Sequence, residues 1–263
     1  MNKNKFRLTE EQINHYKKYA YIKLKNVLSP DTITYYNSVI SKKVDELNEG
    51  DIPLEQKDTY GKAFIQLSNL WQEDKLIKEF VFNSRIANIS AELMQVDGVR
   101  LYHDQALFKE AGGGITPWHA GQFYWPLSSD KTITAWIPLQ EIPLNMGPIE
   151  FSAGSNKIVE GRNLSISDES EKTIKKNLRI NSFEHIIEPF DIGEVSFHSG
   201  WVFHRAGKNT SKNIRKVMTI IYMDKDMILK EPDSTQQQYD KDTWCPGVKV
   251  GEVINSPLNP ILS

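Results

Sequence analysis

From Val99 to Asp224 the chain is written in short alternating apolar stretches separated by turn residues, and this texture does most to limit its folds. VRLYHDQALFKE (99–110) alternates, GGG at 112–114 breaks the run, and TITAWIPLQEI (132–142) resumes it. NMGPIEFSAGS (145–155) wraps turn residues around a short apolar run, and GEVSFHSGWVFHRAGKNTS (193–211) and RKVMTIIYMD (215–224) supply two more strands with a loop between them. Period-two segments of this length, joined by turns rather than long helices, pair antiparallel and bury one face. They predict a β-sandwich or jelly-roll core.

Helices come first. LTEEQINHYKKYA (8–20) reads as a capped amphipathic helix, with Thr9 before two glutamates. YIKLKNVL (21–28) alternates like a short strand, Ser29-Pro30-Asp31 is a turn and helix start, and 31–48 is a second helix. Residues 74–96 read as two short helices broken near Asn83-Ser84. The fold class is therefore α+β, mainly β: a jelly-roll core at about 99–225 with N-terminal helices at about 8–98. A C-terminal extension follows at about 226–263, all within one domain spanning 1–263. The polar stretch 50–60 reads as a loop and the charged, Ser/Asn/Glu-rich segment 156–185 as an insertion between strands; both could cover a site as a lid. From Lys230 onward little pattern is visible.

Composition narrows the partners. Hydrophobic content of 39%, with 11 Phe, 10 Tyr and 6 Trp, is enough for a sizeable core. The net charge of −2 comes from interspersed charges, with no basic tract for nucleic acid or a membrane surface. No apolar leader and no run of about 18 apolar residues occurs, and the one cysteine, Cys245, suits a reducing compartment. The expectation is a cytoplasmic protein acting on a small molecule, with no nucleic-acid or membrane partner. Oligomeric state is not legible in the sequence.

Of the six histidines, His15 and His185 lie in polar segments and read as surface residues. His119 follows a Gly-rich turn and precedes Phe123-Tyr124-Trp125-Pro126, a setting for a metal ligand in a shielded pocket. His204 stands eleven residues before Arg215. In strands joined by a short loop that spacing can bring an imidazole and a guanidinium to one barrel interior, and the guanidinium fork suits a carboxylate. Spacing alone leaves open that His119 and His204 are unrelated.

ITPWHAGQFYWPL, TAWIPL, NMGPIEFSAGSNK and GEVSFHSGWVFHRAGKNTSKNIR, in that order, resemble the phytanoyl-CoA dioxygenase family of iron- and 2-oxoglutarate-dependent oxygenases, from about Tyr21 to about Met223. The resemblance implies a double-stranded β-helix and a site built from His-x-Asp, a distal histidine and an arginine eleven residues on. It implies Fe(II) held by His119 and His204, and 2-oxoglutarate anchored by Arg215, with Thr116 and Trp136 lining its pocket. O2 is the co-substrate. Gln105 and Lys109 are weaker candidates for that pocket or the substrate's, and Lys62 weaker again. His198, in the same block but off the spacing, is a packing or supporting neighbour. Tyr102, His103, Phe123, Tyr124 and Trp125 are the candidates facing substrate; they suit an amphiphilic small molecule, although a packed barrel core would use the same residue types.

The chain departs from the family at one position, reading His119-Ala120-Gly121 where His-x-Asp is the pattern. Glycine supplies no ligand, so one coordination position is freed and one negative charge lost. A chloride or bromide ion bound there restores both, and the resemblance then extends to the iron/2-oxoglutarate halogenases, which carry Ala or Gly at this position. In those enzymes the substrate radical collects halogen in place of hydroxyl. Three readings follow. The first is a halogenase. The second is a hydroxylase in which the ligand aspartate has been replaced by glycine, naturally or by design. The third is a binding protein that keeps the barrel without catalysis.

Overall fold

In the computed structural model, which describes residues 6–48, 54–57 and 61–263, two antiparallel sheets face one another. The strands are β1 (Tyr21–Leu24), β2 (Ile65–Ser68), β3 (Val99–Phe108), β4 (Thr116–His119), β5 (Thr132–Pro138), β6 (Ile149–Ser152), β7 (His185–Ile187), β8 (Val195–Ser199), β9 (His204–Ala206) and β10 (Val217–Asp224). The larger sheet runs β1-β8-β5-β10-β3-β2 and the smaller β4-β9-β6-β7. This is the double-stranded β-helix expected.

Alternation sorts the large sheet's side chains. Ile133, Ala135 and Ile137 of β5, Val195 and Phe197 of β8, and Met218, Ile220 and Tyr222 of β10 face a layer of helices and join one apolar cluster with them. Their neighbours Thr134, Trp136, His198, Thr219 and Ile221 point the other way, into the space between the sheets. The helical layer comprises α1 (Glu10–Tyr19), α2 (Pro30–Leu47), α3 (Lys75–Val81) and α4 (Ser84–Met94). Each start is set locally by a side chain accepting an otherwise unpaired N–H: Thr9 in a capping box with Gln12, Ser29 ahead of Pro30, Asp74, and Asn83 at the expected break. Between them these helices bury Tyr16, Ile33, Ile40, Phe80 and Ile86 against the sheet.

Strand β3 departs from simple alternation. Ile221 pairs with His103 and Tyr222 with Leu101, leaving Tyr102 as an extra, unpaired residue, a β-bulge. Before it Val99 and Leu101 face the helices; after it Ala106 and Phe108 do, while His103, Gln105 and Leu107 line the interior. The C-terminal segment secures the bulge: Leu101 donates its N–H to the Pro260 carbonyl at 3.1 Å, and buried Asn259 donates to the carbonyls of Leu101 and Tyr102 at 3.1 and 3.2 Å.

Three elements differ from the sequence reading. β2 was not visible in the pattern. The insertion 156–185 carries helix α5 (Asp168–Ile180), which packs Ile174 and Leu178 against Trp118, Ala120 and Phe203 rather than hanging as a loop. The C-terminal extension carries helix α6 (Thr235–Trp244), capped by Ser234. The expected loop at 50–60 falls largely outside the described residues; within it, Leu54–Gln56 form one short 3-10 turn.

Candidate active site

The sheets enclose a cavity of about 1000 Å³. At its centre His119, the last residue of β4, pairs across the small sheet with His204, the first of β9, and their ring centroids lie 4.2 Å apart. In each case Nδ1 meets the carbonyl two residues back, Pro117 at 2.8 Å and Val202 at 3.0 Å. A carbonyl only accepts, so Nδ1 carries the proton and donates, leaving the Nε2 lone pair free. That tautomer, fixed by a backbone partner, is how ligating histidines are ordinarily oriented. Burial pushes His119 down to about 4 and His204 well below the ordinary imidazole range, the latter aided by its histidine neighbours, so both favour the neutral, ligating form.

His198 lies with its ring centroid 4.5 Å from that of His204, and burial, then His119, lowers it to about 3. Even so, among the described residues no group of three or more His, Cys, Asp and Glu is arranged to hold a metal. Two histidines are what the protein offers, and Gly121 occupies the position two residues beyond the first. The Gly121 site is closely covered: a Cβ added there would sit 3.0 and 3.1 Å from two carbons of the Trp125 ring. The same ring also lies close to Gly200, where an added Cβ would meet it at 2.8 Å.

Arg215 anchors the neighbouring end. It is 2% exposed, donates from Nη1 to the Gly147 carbonyl at 2.5 Å, and stands 5.6 Å from the centre of the Trp136 ring. Gly147 has φ +66, and any Cβ there would strike the Gly207 carbonyl, so glycine is required for this approach. Burial lowers the Arg215 guanidinium to about 9, and its Nε has no partner. Buried Thr116 Oγ1 has none either. An anion with several acceptor oxygens would satisfy both orphaned groups.

Of the residues expected from sequence, His119, Gly121, His204, Arg215, Thr116, Trp136, Gln105, His103, Tyr124 and Trp125 all line this one cavity. Two do not. Tyr102 is carried by the bulge into a cluster with Met223 and Leu229 and reaches the site only through its hydroxyl, which donates to Asp240 at 3.3 Å. Phe123 faces its neighbour Tyr124 instead, ring to ring at 4.9 Å. Lys109 is fully buried but spends its ammonium on the carbonyls of Gly114 (2.5 Å) and Gly207 (2.9 Å); burial, then Arg215, pushes it down to about 6. Lys62 contributes its backbone carbonyl to Gly114. His15 packs on Tyr19 and Tyr21, and His185 bonds Glu150, both away from the cavity.

Sequence reasoning offered the insertion 156–185 as a cover for the site but missed the wall made by the C-terminal extension. Tyr239, Asp240 and Trp244 of α6 line the cavity, as do Ser165 and Ile166 ahead of α5. The Tyr124 hydroxyl accepts from Ile166 N–H at 2.9 Å and pins that loop, while Glu171 of α5 accepts from Trp118 N–H and pairs with Arg205, both at 3.0 Å. The signals were local caps, Ser167 and Ser234, with Ile174 and Leu178 one helical turn apart. Buried Cys245 has its thiol pushed up to about 12 by burial, then Asp240, which removes it as a nucleophile.

Among solved structures the chain is similar to the non-heme α-ketoglutarate-dependent carbocyclase SnoK from nogalamycin biosynthesis, at 22% identity and TM-score 0.80 over 97% of each chain. It is similar to the epimerase SnoN in complex with Fe3+, α-ketoglutarate and nogalamycin RO, at 20% identity and TM-score 0.78 over 97% of this chain and 98% of that one. EctD from S. alaskensis with 2-oxoglutarate and 5-hydroxyectoine matches at 14% identity and TM-score 0.74, over 95% and 89%. Comparison with curated protein sequences gives no match. The phytanoyl-CoA dioxygenase family model matches residues 16–217, which include His119, His204 and Arg215. The chain belongs to the phytanoyl-CoA dioxygenase family of iron- and 2-oxoglutarate-dependent oxygenases.

Proposed function

We propose that this enzyme is a halogenase that replaces a C–H hydrogen of a small-molecule substrate with chlorine or bromine, the halide taking the iron position that Gly121 leaves without a ligand. His119 and His204 would hold Fe(II) through Nε2, and Arg215, with Thr116, Trp136 and Gln105 around it, would hold 2-oxoglutarate. When bound, these groups supply with O2 the oxidising power that removes hydrogen from an unactivated carbon. The balance is complete: substrate C–H, 2-oxoglutarate, O2, chloride and a proton give C–Cl, succinate, CO2 and water.

One observation carries the reading: Gly121 lines the cavity two residues beyond His119 with no side chain of its own, and the Trp125 ring packs beside it. A carboxylate simply deleted from a hydroxylase would leave its own volume behind. Here an added Cβ meets indole carbons at 3.0–3.1 Å, so even the first side-chain carbon of an aspartate needs the ring to give by a few tenths of an ångström. The chain's own residues then have three tasks. His119 and His204 present neutral nitrogens, Arg215 keeps buried positive charge at the anion pocket, and Trp125 and Tyr124 limit water near the reacting carbon. Whether halogen or hydroxyl is delivered depends on where the substrate carbon sits, and that position is set by the opposite wall.

The hydroxylase reading draws on the string around Gly121, which otherwise matches family hydroxylases. One experiment separates the two. Protein reconstituted anaerobically with Fe(II), 2-oxoglutarate and chloride is exposed to oxygen with a metabolite library and read by mass spectrometry. A product with the chlorine isotope pattern, replaced by a bromine pattern when bromide is supplied, is the expected result. Hydroxylated product alone at every halide concentration overturns it, and a sharp gain in hydroxylation by Gly121→Asp favours the second reading.

A further inference from the structure

Among the described residues lining the cavity, Asp240 is the one acidic group, opposite in charge to Arg215. It lies on α6, is 8% exposed and lines the cavity wall. Its partners are the Tyr102 hydroxyl at 3.3 Å and Trp244, both neutral donors. Among the described residues no lysine or arginine acts on it, and burial raises its carboxyl to about 7. A buried carboxylate without a counter-charge is costly, and the cost falls when a cation arrives.

A second, independent feature lies beside it. His103 of β3 is 3% exposed, lines the same cavity, and its Nδ1 has no hydrogen-bond partner. Burial lowers it to about 4, so it is a neutral ring and no competitor for the carboxylate. His103 stacks on Trp244 at 4.6 Å, Tyr102 meets Trp125 edge-on at 5.7 Å, and Tyr239 completes an aromatic wall around the acid. An ammonium has three N–H donors and no acceptor, so it can satisfy a carboxylate and an imidazole nitrogen together, and aromatic walls favour its charge. A hydroxyl would supply one donor and no charge.

We propose that the β3–α6 end of the cavity is an ammonium-recognition subsite in which Asp240, held by Tyr102 and Trp244 and assisted by His103, takes a protonated amino group of the substrate. This deepens the proposed function and rests on it only in taking the His119–His204 end as the iron end. The substrate class is an amine whose reacting carbon lies between the ammonium and the iron.

The test is calorimetric and involves no turnover. The full chain, loaded anaerobically with Fe(II) and 2-oxoglutarate, is titrated with matched pairs differing only at the amino group: tryptamine and tryptophol, cyclohexylmethylamine and cyclohexylmethanol, hexylamine and hexanol. At least one amine is expected to bind about tenfold or more tighter than its alcohol, and Asp240→Asn to bring that ratio close to one. Because the ratio is taken within one protein, loss of folded fraction does not mimic the effect, and the wild-type comparison stands even if the variant fails to fold. Equal affinity within every pair, absence of binding by all three amines, or a preference that survives Asp240→Asn overturns the subsite. Set beside the oxygen assay, the titrations separate the two readings: amine preference with no chlorinated product sinks the halogenase alone, and chlorination without amine preference sinks the subsite alone.

Discussion

At the His119–His204 end of the cavity the working groups are fixed by backbone: two Nδ1 atoms on carbonyls two residues back, and one guanidinium on the Gly147 carbonyl. At the Asp240 end they are fixed by side chains, a tyrosine from a bulge and a tryptophan one turn along the same helix. The first arrangement depends on strand register and tolerates little variation. The second lies on α6, beyond residue 217 where the family match stops, and can be changed one side chain at a time. On the proposed reading, the chemistry is placed on the part of the fold that register holds rigid, and the choice of substrate on a part that need not be shared.

The contrast can be broken most severely at the iron end. His119→Ala or His204→Ala leaves one protein ligand, and succinate formation should fall by at least about 100-fold, since loss of a mere supporting partner costs about 10–100-fold. A variant retaining more than a tenth of the activity would mean that the pair does not hold the metal. Next in size, Arg215→Gln should raise the KM for 2-oxoglutarate by roughly 10–100-fold, the worth of one charge-assisted bond, with a smaller change in kcat. Arg215→Lys should recover only part of it, because the fork is lost; an unchanged KM in both variants would place the 2-oxoglutarate anchor elsewhere.

Smaller effects sharpen the comparison. Gly121→Ala keeps the vacant ligand position but presses a methyl onto Trp125, costing about 1–2 kcal/mol, or a Tm lower by a few degrees. The chlorinated product should persist, and a Tm equal to wild type would show that the ring is not packed there. The subtlest effect is on pH. Asp240 has its folded carboxyl raised to about 7, so its contribution to stability is full below the ordinary carboxylate range and lost as pH rises through about 7. Asn has no such dependence. The Tm of Asp240→Asn relative to wild type should therefore climb between pH 4 and 8; a flat difference would mean that the carboxyl is not buried as described.

Much of the iron end was legible through the family resemblance: the spacing of His204 and Arg215 was suggestive, but only the ordered blocks of the family pattern joined His119 to them. The far end was not. Asp240 sits in a polar stretch whose helix is held by a cap and by contacts rather than by an apolar stripe. Tyr102 could not be placed by alternation, because alternation assumes no extra residue. Phe123 failed for a related reason: the run 121–124 is a 3-10 turn rather than a strand, so neighbouring aromatics diverge instead of sharing a face. The helices, by contrast, were read to within a residue or two where caps marked their starts.

The extra residue in β3 also divides the strand into two separately governed lengths. From Gln105 to Phe108 the strand is held between β10 and β2. Ahead of Tyr102 it is held between β10 and the chain's last few residues, through Asn259, Pro260 and Ile261. An insertion or deletion in the first length can be absorbed at the bulge without moving the second. On the proposed reading, Tyr102 and the C-terminal segment that holds it could therefore be re-cut by design while His103 and Gln105, beyond the bulge, keep their register with β10.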